Sequence, residues 1–252
     1  MSKNIIIAYF SPTGNTKKSL EAMAEALGGY KEALDLTAAG QAVVREFTAD
    51  DLVIFGVPVY GGRIPKAAKV RFEQLKGNQT PCLAVVTYGN RDFDDALLEL
   101  ADMAAEQGFV VKGAAALVGR HTYGEIQVNR PDEEDLKADR EFAKKALENL
   151  NKDVEFVIPG NRPYKDGGNG GRFRPLTADS CVHCGLCADA CPVQAIAEDH
   201  TTIGDGCISC FRCIRQCPVG AKNMDTDAYN EFAVSFTERL KVRRENQFFV
   251  ND

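Results

Sequence analysis

Twice in this chain four cysteines and a proline follow the order C-x-x-C-x-x-C-x-x-x-C-P, as CVHCGLCADACP from Cys181 and as CISCFRCIRQCP from Cys207. Eight of the nine cysteines lie between Cys181 and Cys217, and the ninth is Cys82. A reducing cytosol disfavours disulfides, so cysteines crowded in this way point to metal. Structural zinc prefers two close pairs separated by a longer loop, which a tight run of four, repeated, does not supply. Pro192 and Pro218 keep the segment after each fourth cysteine from continuing as a regular helix.

The repeat resembles the bacterial two-cluster ferredoxin, in which three cysteines of one run hold a [4Fe–4S] cluster and the fourth ligates the other cluster. The resemblance implies that Cys181, Cys184, Cys187 and Cys217 hold cluster one, and that Cys207, Cys210, Cys213 and Cys191 hold cluster two. The two copies differ in one respect. Gly185 follows Cys184, whereas Phe211 follows Cys210, with Arg212 and Arg215 in the same loop. Bulk and positive charge there predict a higher potential for cluster two than for cluster one. His183 reads as a solvent-facing filler of a variable position rather than a ligand.

The first half of the chain alternates strand-like and helix-like segments. NIIIAYF (Asn4 to Phe10), the weaker EALDL, DLVIFGVPVY (Asp51 to Tyr60), CLAVVTYGN (Cys82 to Asn90) and FVVKGAAALVG (Phe109 to Gly119) read as five strands. Their continuous apolar runs suit strands buried on both faces. Leu20, Met23, Ala24 and Leu27 recur at helical spacing after Thr16. DFDDALLELADMAAEQ reads as a second helix, and the stretch opening at Pro131 carries acids in its first turn, as helices prefer. Interleaved strands and helices imply a parallel sheet with right-handed crossovers, whose ligands sit in loops at the carboxyl ends of the strands. The apolar share of 44% is enough to build such a core without a disulfide scaffold.

After Val157 the composition changes. PGNRPYKDGGNGGRFRP (Pro159 to Pro175) is rich in Gly and Pro and carries Arg162, Lys165, Arg172 and Arg174 against Asp166. It reads as a linker of about 20 residues; as a flexible coil it spans on the order of 25 Å and lets two domains reorient, whereas a rigid linker fixes the flavin against one cluster, and both readings stay open. The expected division is residues 1–157, a linker at 158–176, the cysteine-rich unit at 177–226, and a C-terminal helix and tail at 227–252. That helix presents Tyr229, Phe232, Phe236 and Leu240 along one face, read as packing across one of the two domains. Cys82 reads as a small core residue.

The loops after the first, third and fourth strands are chemically unusual. SPTGNT ends in a helix N-terminus, where free N–H groups and the helix dipole favour an anion. Ser11, Thr13 and Thr16 add hydroxyls beside Asn15, Gly14 permits close approach, and Pro12 stiffens the turn. PVYGGRIP (Pro58, Val59, Tyr60, Gly61, Gly62) and TYGNRD (Tyr88, Gly89, Asn90) each set a tyrosine beside flexible backbone, which suits a flat heterocycle. SPTGNT resembles the phosphate loop of flavodoxins, and residues Lys3 to Leu150 follow that family's pattern. The resemblance implies FMN, held by these residues other than Pro12, thirteen in all, on a five-stranded parallel sheet of order 2-1-3-4-5 with helices on both faces. It also implies that Gly61 or Gly62 can turn its carbonyl toward the flavin. A GxGxxG fingerprint for NAD is absent. Arg63 reads either as a partner for a reduced flavin anion or as a solvated side chain. His121 reads as a loop residue near the ligand-binding edge.

Taken whole, the chain resembles the flavodoxin–ferredoxin fusion family, a flavodoxin-like α/β domain followed by a small α+β two-cluster ferredoxin-like domain and a C-terminal helix. The resemblance implies an electron-transfer protein with FMN and two [4Fe–4S] clusters, joining two-electron to one-electron redox-protein partners. A flavin-dependent reductase of a quinone, nitro compound or enone, fed by the clusters, is the alternative, with Tyr60, Tyr88 and Arg63 around its substrate; a cluster-based sensor without flavin is a third reading. The net charge of −6 argues against nucleic acid. No apolar run reaches the roughly 20 residues a membrane span needs, and the N-terminal apolar run is too short for a signal peptide, so the cytoplasm is the expected compartment. A homodimer is left open.

Overall fold

The computed structural model describes residues 3–40, 43–153 and 155–251. In chain order its strands are β1 (Asn4–Tyr9), β2 (Glu32–Asp35), β3 (Arg45–Phe47), β4 (Asp51–Pro58), β5 (Leu75–Gly77), β6 (Thr80–Tyr88), β7 (Phe109–Val118), β8 (Leu176–Thr177), β9 (Lys222–Asn223) and β10 (Gln247–Phe249). The helices are α1 (Asn15–Ala26), α2 (Lys66–Phe72), α3 (Ala96–Glu106), α4 (Glu133–Glu148), α5 (Leu186–Asp189), α6 (Arg212–Gln216) and α7 (Asp227–Arg239).

The five strong strands lie side by side as β2-β1-β4-β6-β7, all parallel, which is the expected 2-1-3-4-5 order. Every residue of β6 is buried, as a central strand covered on both faces requires. Helices α1 and α4 close one face, where Leu20, Met23, Phe142 and Ala146 meet Ile5, Ile7 and Ile54. Helices α2 and α3 close the other, where Phe72, Leu97 and Leu100 meet Ile6, Phe55 and Val86. Cys82 is fully buried in that second layer, as expected of a core residue.

A sixth strand enlarges the expected sheet. β10 pairs antiparallel with the edge strand β7, setting Phe248 opposite Ala115 and Phe249 opposite Ala114. These residues fall in the segment read as tail, because three residues after a charged run carry too little alternation to register as a strand. Burial of the two rings on opposite faces holds them: Phe248 lies 5.2 Å from the Phe142 ring, and Phe249 packs against the other layer. Arg130 anchors the approach to β10. It pairs with Asp135 at 2–3% exposure and donates to the Arg244 carbonyl and the Asn246 side chain. The short parallel pair β3–β5 and helix α2 were also not anticipated.

The glycine-rich segment carries no helix or strand between α4 and β8 among the described residues, yet it is pinned rather than loose. The Asp95 carboxylate accepts the backbone N–H groups of Asn161 at 2.8 Å and Lys165 at 2.7 Å, while Asp102 takes Arg162 and Tyr164. Its glycines serve close approach. A Cβ on Gly167 would stand 2.6 Å from the Gly61 carbonyl, and one on Gly170 would stand 2.3 Å from the Ile208 carbonyl. The segment therefore threads between the loop after β4 and the second cysteine run.

Helix α7 lies across this boundary. Tyr123 (from the loop after β7), Phe173, Phe211, Tyr229 and Phe232 form one cluster of rings, Tyr123 lying 5.6–6.1 Å from Phe211, Phe232, Phe173 and Tyr229. Phe236 continues it to His121 at 5.0 Å. The aromatic stripe of α7 thus touches both halves of the molecule, with Leu240 closing the helix at its C-cap.

Candidate cofactor sites

The loop after β1 leaves donors unspent. The Ser11 N–H donates to Thr37 Oγ1 at 2.8 Å, and the Lys17 N–H donates to Ser11 Oγ at 3.1 Å. Gly14 sits at φ +90° and caps α1 with no side chain. Among the described residues the N–H groups of Thr13, Asn15 and Thr16 find no protein acceptor, and helix N–H groups in that state are what an anion takes up. Thr16 Oγ1 is fixed 2.6 Å from Thr87 Oγ1, and Asn15 Nδ2 donates to the Arg120 carbonyl at 3.0 Å.

This loop opens onto a cavity of about 360 Å³, within the roughly 300–1,000 Å³ range of small-molecule sites. Of the thirteen expected residues, Ser11, Thr13, Asn15, Thr16, Pro58, Val59, Tyr60, Gly61, Tyr88 and Gly89 line it. Gly14 stands behind the wall as the cap of α1. Gly62 and Asn90 do not line it. Gly62 is turned to Asp94, and its carbonyl accepts the Asp95 N–H at 3.1 Å. The Asn90 amide is taken up by the C-terminal segment, donating to the carbonyls of Leu240 and Val242 at 2.7 Å each. Arg63 takes neither expected role: its guanidinium grips Glu99 with two bonds of 2.7 Å, so it is neither at the cavity nor merely solvated.

The rest of the cavity wall was not foreseen. Gly119 to Tyr123 come from the loop after β7, residues 166–172 from the glycine-rich segment, and Ile208 and Ser209 from the second cysteine run. The loop after β7 lies at the same carboxyl edge as the other three, so topology points to it; the last two groups become neighbours only through the packing of the two halves. His121 lies with one face against Gly89 and receives the Tyr123 N–H on Nδ1 at 2.8 Å. Burial lowers its pKa to about 4, the Tyr123 carbonyl 3.2 Å from Nδ1 only partly offsetting this, so the ring is neutral. Burial likewise raises the Tyr60 and Tyr88 phenols, and the Tyr88 hydroxyl is buried without a partner.

The cysteines gather in two cavities. One is lined by Cys181, Cys184, Cys187 and Cys217, the other by Cys191, Cys207, Cys210 and Cys213. These are the two crossed sets of four, and the fourth cysteine of each run stands with the three of the other. No group of three or more Cys, His, Asp or Glu among the described residues converges closely enough to hold a single metal ion. The four thiols surround a space instead. Backbone N–H groups already point at sulfur, from Ala221 to Cys217 at 3.2 Å, from Ala195 to Cys191 at 3.3 Å and from Ser209 to Cys207 at 3.4 Å. Apolar walls and N–H donors to sulfur are the surroundings that tune an iron–sulfur cluster. Gly185 and Phe211 occupy equivalent places, both left-handed at φ +79° and +59° and both heading a short helix. His183 is exposed and bonded to the Asp199 carbonyl at 3.0 Å, not directed at either cavity.

Comparison with known proteins agrees with this division. A flavodoxin domain family matches residues 6–87, and two 4Fe-4S binding domain families match residues 176–197 and 207–221. An uncharacterised protein of Methanocaldococcus jannaschii is 29% identical over 106 residues, 39% of this chain and 71% of that protein. Among solved structures, flavodoxin 2 of Bacillus cereus is 19% identical with a TM-score of 0.44, covering 58% of this chain and 99% of its own. The Flv1 flavodiiron core of Synechocystis is 19% identical with a TM-score of 0.45 over 60% of this chain, which spans about a third (36%) of that one. The chain carries a flavodoxin-like α/β domain and two 4Fe-4S motifs, and its cofactors are FMN and two [4Fe–4S] clusters. The unpaired donors of the first loop, the tyrosine-walled cavity and the paired sets of four thiols fit those groups.

Proposed function

We propose that this electron-transfer flavo-iron-sulfur protein couples two-electron to one-electron redox partners through an internal path between its two halves. The observation that carries the reading is the shared wall: Ile208 and Ser209, which separate cluster-two ligands Cys207 and Cys210, also line the flavin cavity. When bound, FMN exchanges two electrons and each cluster one. The chain's own residues hold the ends of that path in fixed relation. Tyr123 and Phe211 pack together between the flavin cavity and the second cysteine set, and the Ser209 hydroxyl donates to the Phe173 carbonyl. Both keep water out of the gap.

The first cysteine set faces the other way. Cys184 is exposed, with Val182, Leu186 and Val219 beside it at 46–61% exposure, which suits exchange with an outside redox protein. The higher potential expected for cluster two rests on the positive charge of Arg212, and burial of that cluster works against it by disfavouring the more negative reduced form. Among the described residues no helix is long and apolar enough to cross a membrane, and nine unpaired cysteines suit a reducing cytoplasm. The reductase reading is less well supported, because residues 166–172 help to wall the cavity and leave less room there for a second small molecule.

An anaerobic reductive titration followed by visible absorption and EPR tests this reading. The expected result is one FMN and about eight irons per chain, with electrons equilibrating between flavin and clusters. Both cofactors present but failing to equilibrate in the isolated chain would overturn it, and a saturable reoxidation by a quinone or enone would select the reductase.

A further inference from the structure

Arg212 belongs to the cysteine-rich half, beside Cys213, and it lines the cavity of the second cysteine set. Its guanidinium nevertheless ends at the phosphate-type loop of the other half. Nη1 donates to the Pro12 carbonyl at 3.3 Å and the Ser11 carbonyl at 3.5 Å, and Nε is buried with no partner among the described residues. A second arginine crosses the same boundary in the opposite direction. Arg71 of α2 donates to the carbonyls of Leu36 (2.9 Å) and Thr37 (2.7 Å) and reaches the Pro192 carbonyl, next to Cys191. Thr37 is also the residue whose hydroxyl accepts the Ser11 N–H. The loop is thus tied to the second cysteine set at two points, directly by Arg212 and, through Thr37, by Arg71 at the end of the first run.

The geometry of a trans peptide gives the contact at Pro12 a consequence. The carbonyl of Pro12 and the N–H of Thr13 belong to one plane and point in opposite directions. With the carbonyl drawn toward Arg212, the Thr13 N–H faces away from it, and Thr13 lines the cavity with that N–H unspent. The guanidinium also places a fixed positive charge behind the loop, where it adds to the dipole of α1.

We propose that Arg212 is a positioning residue for the phosphate of the bound flavin nucleotide, so that the flavin site is complete only when the cluster half is docked. This rests on the reading of the loop as a phosphate site. Arg212 acts through the Pro12–Thr13 peptide and through its charge, touching no reacting atom.

The test compares FMN with riboflavin, which lacks the phosphate. The full-length protein, with both clusters intact by EPR and its flavin removed by dialysis, is titrated with each ligand and followed by flavin fluorescence. Arg212→Gln is expected to weaken FMN by about tenfold or more and to leave riboflavin binding unchanged. Arg212→Lys, which keeps the charge, is expected to recover part of the loss. Equal weakening of both ligands would reduce Arg212 to a structural tie, and no weakening of either would remove it from the site; both overturn the proposal. Should the wild-type protein bind FMN no more tightly than riboflavin, the phosphate-loop reading itself fails, which the wild-type titration alone reveals. If Arg212→Gln loses its clusters, Arg212→Lys with the same two ligands decides the matter.

Discussion

Phe211 offers a sharp test of how the two halves are held, because two opposing effects act on one residue. Its φ of +59° is a left-handed conformation that costs a residue bearing a Cβ about 1–2 kcal/mol. The first cysteine run avoids that cost with Gly185. The compensation is burial. The ring is 7% exposed and sits 5.6 Å from Tyr123 and 6.0 Å from Tyr229, and truncating a buried Phe costs about 3–5 kcal/mol. Packing wins, so Phe211→Gly should destabilise by about 1–4 kcal/mol once the strain is relieved. Phe211→Ala loses the same packing and keeps the strain. Against this, glycine gives up about 0.5–1 kcal/mol through the freedom of its unfolded chain. The expected order of stability is Phe, then Gly, then Ala, with Gly ahead of Ala by up to about 1.5 kcal/mol. Anaerobic urea unfolding of the three proteins at equal iron content, followed by circular dichroism, measures this. Alanine as stable as glycine would refute the strain, and glycine as stable as phenylalanine would refute the claim that the ring cluster binds the halves together.

Three further outcomes follow from single side chains. Asp139 on α4 is fully buried, and among the described residues neither carboxylate oxygen has a hydrogen-bond partner within normal geometry; burial raises its pKa to about 7. The folded state therefore holds a proton that the unfolded state has released, and stability falls as pH rises from about 4 to 7. Asp139→Asn should remove that slope and gain about 2–4 kcal/mol at pH 8 in urea unfolding; an unchanged slope refutes the assignment. Burial works against the Asp95 carboxylate, but the N–H groups of Lys165 and Asn161 outweigh it and hold its pKa below the usual range. The clamp on the glycine-rich segment is thus present above the ordinary carboxylate pKa and lost as pH falls through the folded value. Asp95→Ala should lower the protection factors of the amides at residues 161–166 at pH 7, as acid should in the wild type once the slower intrinsic exchange is divided out, and unchanged protection in the variant would count against the clamp. Finally, a Cβ on Gly89 would lie 2.1 Å from His121 Cδ2, so Gly89→Ala must push His121 into the flavin cavity. FMN affinity should fall by about tenfold or more, and an unaltered affinity in a fluorescence titration would show that the cavity has slack there.

What the sequence disclosed depended on the range of the signal. Four of the five strands are long apolar runs, EALDL being the weaker one, and their order is the one that the flavodoxin resemblance implies, so the sheet was legible from Asn4 to Val118. The crossed cysteine sets are what the ferredoxin resemblance implies, the spacing within each run being local, and the two cavities are lined by those same fours. Ten of the thirteen expected flavin residues line the cavity because loops at one sheet edge must converge. Asn90 failed for a specific reason. Its amide looks free in TYGNRD, but a partner 150 residues away, the Leu240 carbonyl, claims it. Arg63 failed likewise, through Glu99, a carboxylate on the inner side of α3 at 3% exposure that helical spacing alone does not mark as a partner. β10 was invisible because its stability comes from Phe142 and the edge of β7, not from its own three residues.

The glycine-rich segment shows where composition misleads. Glycine allows chain flexibility, and it also allows two backbones to touch; the sequence is the same in both cases. Gly167 against Gly61 and Gly170 against Ile208 belong to the second case. Each contact joins a wall of the flavin cavity to its neighbour, and the second joins it to the cysteine run. For the two halves to reorient, the molecule would have to break the Asp95 and Asp102 clamps, the arginine ties at Pro12 and Pro192, and the ring cluster around Tyr123. Solvent screens the exposed Asp102–Arg162 pair, so resistance to reorientation rests on the buried Asp95 clamp, the two arginine ties and the ring cluster together. A mobile linker would need its glycines exposed and its charges solvated. In this chain Arg162 and Lys165 are paired, and the glycines at 167 and 170 stand where no side chain fits.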